Sequence, residues 1–139
     1  SMNAERVFVD TNVLVYLFDK ADEKRRKRAE AKLKAGRREI FVSTQVLQEL
    51  YVALTKGKHP LTTSDVAERA VRAAAHYSVV HVDVALVLAA IEAARRNQIS
   101  FWDALIVRAA AQADCATMLS EDLTHGQVLE GVRVENPFR

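Results

Sequence analysis

Four acids stand where a carboxylate can do chemistry: Asp10, Glu49, Asp103 and Asp122. Asp10 follows the apolar run Val7-Phe8-Val9. Two of those residues are β-branched and the third is aromatic, which suits a buried strand. Asp122 closes Ser120-Glu121-Asp122, directly after a second such run, Ala116-Thr117-Met118-Leu119. Glu49 lies on the flank of a helix predicted over 45–56, and Asp103 is the third residue of one predicted over 101–113. Carboxylates gathered at one place repel, so such a cluster holds protons or a cation. Oxygen-only ligands favour a hard ion such as Mg²⁺ or Mn²⁺. A metal held in this way polarises a phosphodiester, activates water and steadies the leaving oxygen. Each acid also has a plainer use. Asp10 or Asn12 can cap a helix that starts at Val13. Ser100 to Asp103 fits a capping box, and Glu49 is a good surface residue for a helix. These stretches alone leave both uses open.

Other chemistries lack their parts. There is no Gly-x-x-x-x-Gly-Lys loop for nucleotide phosphates and no Gly-x-Ser-x-Gly elbow. His59, His76, His81 and His125 show no metal-ligand spacing, although His125 adjoins the acidic loop. Cys115 is the single cysteine, which rules out an intramolecular disulfide, and its place before an apolar strand predicts packing.

With 139 residues, half of them hydrophobic, the chain makes one domain with a real core. Ser1 ahead of Met2 is set aside, so the domain is expected over 2–139. No apolar run approaches the ~20 residues of a membrane helix, and no charged-then-apolar leader opens the chain. A cytoplasmic, membrane-free protein is the expectation. The net charge is only +2, but ten of the twenty Lys and Arg residues fall between Lys20 and Arg38. Within 22–36 acids lead, bases trail and a glycine follows, the order that a helix dipole and a glycine stop favour. Its run Lys24, Arg25, Arg26, Lys27 and Arg28 reads either as a solvated face or as a patch that gathers phosphates.

Strands at 7–9, 39–42, 78–82, 116–119 and 132–134 alternate with helices, which argues for a parallel sheet wrapped by right-handed crossovers. Asn12, Ser43, Thr44, Asp83 and Ser100 are the cap residues expected at helix starts. On the helix over 101–113, Trp102, Ile106, Ala109 and Ala113 form the expected dry side, with Arg108 and Gln112 opposite. A parallel sheet puts Asp10 and Asp122 past strand ends on one edge, the edge where open α/β sheets bind ligands.

Val-Asp-Thr-Asn at 9–12, Glu49, Phe-Trp-Asp-Ala at 101–104 and Ser-Glu-Asp at 120–122 together resemble the motifs of PIN-domain ribonucleases. The closing Val-Glu-Asn-Pro-Phe at 134–138 is similar to the tail of the VapC toxins in that family. The resemblance implies one α/β domain with a five-stranded parallel sheet in the order 3-2-1-4-5, and a homodimer. It implies Mg²⁺- or Mn²⁺-dependent endonucleolytic cleavage of RNA and control by a VapB-type antitoxin. Carried over by position, Asp10, Glu49, Asp103 and Asp122 bind metal and activate water, while Thr11, Asn12 and Ser120 support them by hydrogen bonds. Glu121 stands beside Asp122 and competes with it for the metal role; Asp122 is favoured. The alternative is a non-cleaving PIN-like or receiver-like module that binds metal and a protein partner. A receiver would want an acidic pair after its first strand and a lysine after its last, and neither is present.

Overall fold

In a computed structural model, which describes residues 4–139, the sheet is built around the first apolar run. Strand β1 (Glu5–Val9) pairs in parallel with β2 (Arg38–Ser43) on one side and with β4 (Thr117–Leu119) on the other. Val7, Phe8 and Val9 are fully buried, because a central parallel strand is covered on both faces. Beyond β2 lies β3 (Ser78–Val80), and beyond β4 lie β6 (Val132–Glu135) and β5 (Val128–Leu129). The order is β3-β2-β1-β4-β6-β5.

The expected order holds with β6 in the fifth place, but the sheet has six strands rather than five and is not wholly parallel. The short β5 runs antiparallel to β6, with Leu129 opposite Val132. The two residues between them, Glu130 (φ 51°) and Gly131 (φ 81°), are both left-handed. A two-residue hairpin needs that conformation to match the twist of its strands. A glutamate is an unusual choice there, and Glu130 is held by Arg96, Asn97 and Arg108.

The helices are α1 (Thr11–Val15), α2 (Glu23–Lys34), α3 (Thr44–Thr55), α4 (Ser64–Ala74), α5 (Val84–Asn97) and α6 (Phe101–Gln112). A 3-10 turn, Tyr16–Phe18, extends α1. Side chains of Ser43, Thr63, Asp83 and Ser100 cap α3, α4, α5 and α6 by accepting from backbone N–H groups. The cap of α1 is Asp10, not Asn12: Asp10 Oδ1 accepts from the Thr11 N–H. Leu50 and Leu54 of α3, Leu86 of α5 and Val107 of α6 close over the sheet. Burying each such side chain contributes about 1.5–3 kcal/mol. Trp102 departs from its expected dry position. It is 62% exposed, while its neighbour Phe101 packs on the core and meets it edge-to-face. Trp102 stands in the first turn of α6, ahead of the buried run that begins at Ala104, so helical spacing alone does not bury it. Among the described residues no helix is long and apolar enough to cross a membrane.

Candidate active site

The carboxyl edges of β1 and β4 lie side by side. The Asp10 N–H donates to Leu119 O at 2.9 Å, which locks the strand ends together. Asp10 is 7% exposed and fully hydrogen-bonded. Its Oδ1 serves the helix cap at 2.7 Å, and its Oδ2 accepts from Ser120 Oγ at 2.8 Å and Asn12 Nδ2 at 3.2 Å. Burial pushes its pKa up from 3.8 to about 6. The Ser120 and Thr11 hydrogen bonds pull the other way, and the charges of Asp122 and Glu49 add to the rise. The capping role and a site role thus coexist in one side chain.

Asn12 links the parts. Its Nδ2 also donates to Asp122 Oδ2 at 3.1 Å, and its Oδ1 accepts from the Glu121 N–H at 3.0 Å. The Asp122 N–H donates in turn to Ser120 Oγ at 3.2 Å. On the other side, Thr11 Oγ1 donates to Glu49 Oε1 at 2.9 Å. Gln45, one turn earlier on α3, donates to Glu49 Oε2 at 3.3 Å and to Trp102 O at 3.4 Å. Gln45 is buried and clips the head of α6 to α3. Sequence reading passed over it, although its i, i+4 spacing to Glu49 was in plain view.

Asp10, Glu49 and Asp122 therefore line one open cavity of about 670 Å³, together with Thr11 and Asn12. Asp103 does not line it. Its N–H closes the Ser100 cap at 3.1 Å, and it sits one residue beyond the Gln45 clip. The neighbouring acid Glu121 lines the cavity but spends both oxygens elsewhere: Tyr16 Oη donates to Oε1 at 2.9 Å and Arg25 Nε to Oε2 at 3.2 Å. Burial and the Glu121 carboxylate raise the pKa of Tyr16. The Arg25 guanidinium lies over the rings of Tyr16 and Phe138 and also pairs with Asp22. Tyr16 and Arg25 are parts of this corner that the linear sequence did not reveal, because Arg25 and Glu121 are far apart along the chain.

The basic run is less free than its composition suggests. Arg26 pairs with Glu23 and Glu30 on its own helix, and Arg28 donates to Phe138 O. Among the described residues, Lys24 and Lys27 make no ion pair or side-chain hydrogen bond. His125 is a tail contact: its Nδ1 accepts from the Asn136 N–H at 3.0 Å. Cys115 is buried, and burial pushes its thiol up to about 12.

The donor set around the cavity is oxygen only, which fits a hard divalent cation in chemistry. A cation would also relieve the like charges that bear on buried Asp10. Among the described residues no three acids, histidines or cysteines converge on one ion position as they stand. The acids are turned to Thr11, Asn12, Ser120 and Gln45 instead.

The fold has known relatives. A toxin–antitoxin complex of Klebsiella pneumoniae superposes with a TM-score of 0.73 at 18% identity, covering 94% of this chain and 97% of that one. VapBC2 of Rickettsia felis, bound to a DNA fragment from its promoter, gives 0.65 at 17% identity over 94% and 98%. VapC20 of Mycobacterium tuberculosis, a sarcin–ricin-loop-cleaving toxin, gives 0.62 at 24% identity over 84% and 91%. No curated protein matches the sequence. The PIN domain family model matches residues 7–128, from the first buried residue of β1 to β5. The chain belongs to the PIN-domain family.

Proposed function

We propose that this chain is a divalent-metal-dependent endoribonuclease, the toxin half of a toxin–antitoxin pair. The carrying observation is a buried, hydrogen-bonded Asp10 that shares one open cavity with Glu49 and Asp122. Asp10, Glu49 and Asp122 would hold Mg²⁺ or Mn²⁺, with Asp103 the fourth acid at the head of α6. When bound, the metal would supply polarisation of a phosphodiester and a lowered pKa for water. The chain's own residues prepare that step. Ser120 and Thr11 fix the orientation of the Asp10 carboxylate. Asn12 keeps Asp10 and Asp122 together despite their like charge, and Thr11 draws Glu49 to the same wall.

The solved relatives that are toxin–antitoxin complexes support a VapB-type antitoxin as the protein partner, and a homodimer is the expected assembly. The test is cleavage of end-labelled single-stranded RNA with Mn²⁺, with excess chelator, and by Asp10→Asn. Cutting that needs both Mn²⁺ and Asp10 supports the reading. Undiminished cutting in chelator, or by Asp10→Asn, overturns it.

A further inference from the structure

The cavity that holds the acids extends beyond them. Along α3 its wall is Gln48 and Glu49, then Val52 and Ala53, with Lys56, the C-cap of the helix, at the end. Glu49, Val52 and Ala53 follow i, i+3 and i+4, so they form one stripe on one face of the helix, and Lys56 closes that stripe at the cap. Glu49 and Lys56 are separated by about 10 Å along the axis. Val15 of α1 lines the same cavity. Val52 is 58% exposed, an apolar side chain left open to water inside a charged cleft.

The charges are lopsided. Asp10, Asp19, Glu49, Glu121 and Asp122 line the cavity, and Lys56 is the one cation that does so among the described residues. Glu121 is offset by Arg25, outside the lining. The Lys56 ammonium makes no ion pair or hydrogen bond among the described residues, and its backbone N–H is spent on Val52 O at 3.0 Å. A polyanion entering this cleft therefore finds its one lining cation, among the described residues, about two helical turns along α3 from Glu49.

Building on the ribonuclease reading, we infer that this stripe is a nucleotide subsite of single-stranded RNA beside the cleaved bond. Val15, Val52 and Ala53 receive an unstacked base, and Lys56 receives the phosphate next to the scissile one. The cavity has room for a base, and an apolar wall accepts any base face without reading its edge. A base held in a duplex stack cannot reach such a wall, so the subsite selects unpaired RNA.

The experiment measures binding of a short single-stranded RNA to the intact protein in excess chelator, across a salt series. Lys56→Gln should weaken binding about fivefold at low salt and lower the slope of log K against log salt by about 0.7, the value for one lost phosphate contact. Lys56→Arg should restore both. Lys58→Gln, which removes an exposed charge outside the cavity, should leave the slope unchanged. Val52→Ser should weaken binding at an unchanged slope, because it removes an apolar contact and no charge. A Lys56→Gln slope equal to the parent's, or equal losses in Lys56→Gln and Lys58→Gln, overturns the subsite. So does duplex RNA that binds as tightly as single strand with the same dependence on Val52. A parent that binds no RNA in chelator also overturns the subsite, whereas a parent that cuts no RNA with Mn²⁺ overturns the ribonuclease reading on which the subsite rests.

Discussion

The side-chain nitrogen of Asn12 lies 3.2 Å from Asp10 Oδ2 and 3.1 Å from Asp122 Oδ2, so one neutral donor spans the acids that end two neighbouring strands. Removing that donor exposes each carboxylate to the other; replacing it with a third acid makes the repulsion worse. Asn12→Asp should therefore be less stable than Asn12→Ala at pH 7 by about 1–2 kcal/mol. The gap should narrow at pH 5, as protons neutralise the group. Denaturant melts of both variants at the two pH values check this. Equal stability at pH 7 would mean that Asn12 does not mediate between the acids.

Asp10 carries a pH signature. Its folded pKa of about 6 lies above its ordinary 3.8, so the folded chain holds more protons than the unfolded chain between those values. Stability from this group thus falls as pH rises through that window, and the loss is complete above it. Two pKa units correspond to up to about 3 kcal/mol. In chelator, Asp10→Asn should melt at or above the parent at pH 7 and show a flatter profile between pH 4 and 6. Adding Mn²⁺ should stabilise the parent by about 2.7 kcal/mol at a hundredfold excess over its dissociation constant, and Asp10→Asn much less.

The two adjacent acids should separate cleanly. Glu121 is engaged by Tyr16 and Arg25, whereas Asp122 faces Asn12. Asp122→Asn is expected to lose RNA cleavage by at least about a hundredfold, the scale on which a lost catalytic donor is felt. Glu121→Gln should stay within severalfold of the parent. Single-turnover rates with Mn²⁺ decide; the reverse order would assign the metal role to Glu121.

Glu130 should behave in the opposite sense to Asp10. Hydrogen bonds from Arg96 and Asn97, with the charges of Arg96 and Arg108, hold its pKa down at about 2. A depressed acid stabilises the fold above its ordinary 4.5, and that contribution drains away as pH falls toward 2. Glu130 is 9% exposed on its side chain but Arg96 is largely in solvent, so screening trims the effect. Glu130→Gln should cost about 1–2 kcal/mol at pH 7 and well under half of that at pH 2. Urea melts across that range give the answer.

The charges of α2 divide by their partners. Arg26 is tied to Glu23 and Glu30, while Lys24 and Lys27 are not paired among the described residues. If the helix gathers RNA, Lys24→Gln with Lys27→Gln should lower the salt slope of binding by about 1.4. Arg26→Gln should change it less. Equal slopes for the double variant and the parent would make α2 a solvated face.

What was legible in the sequence follows from what acts locally. Val7-Phe8-Val9 could be placed because a central parallel strand must be apolar on both faces, and Ser43, Asp83 and Ser100 because caps are one-turn interactions. Asp10, Glu49 and Asp122 could be nominated because strand order puts two of them on one edge. The edge strand β5 was missed because two residues carry almost no periodicity and its turn uses a glutamate at positive φ, held there by Arg96 from a distant helix. The clip from Gln45 to Trp102 and the hold of Tyr16 and Arg25 on Glu121 were missed because only the folded chain makes those contacts. Trp102 was misplaced because helical spacing tells which residues share a side and leaves open where that side ends at the first turn.

That outward-facing indole has a practical use. Trp102 is the single tryptophan of the chain, and it sits one residue ahead of Asp103. Its emission in water is red and easily quenched, and it shifts to the blue when a neighbour covers it. The protein thus carries its own lamp at the mouth of the α3–α6 junction. Whatever settles there, a nucleic acid strand, a partner helix or a second copy, will be visible without any attached dye, and the dilution at which the colour returns will report how tightly it was held.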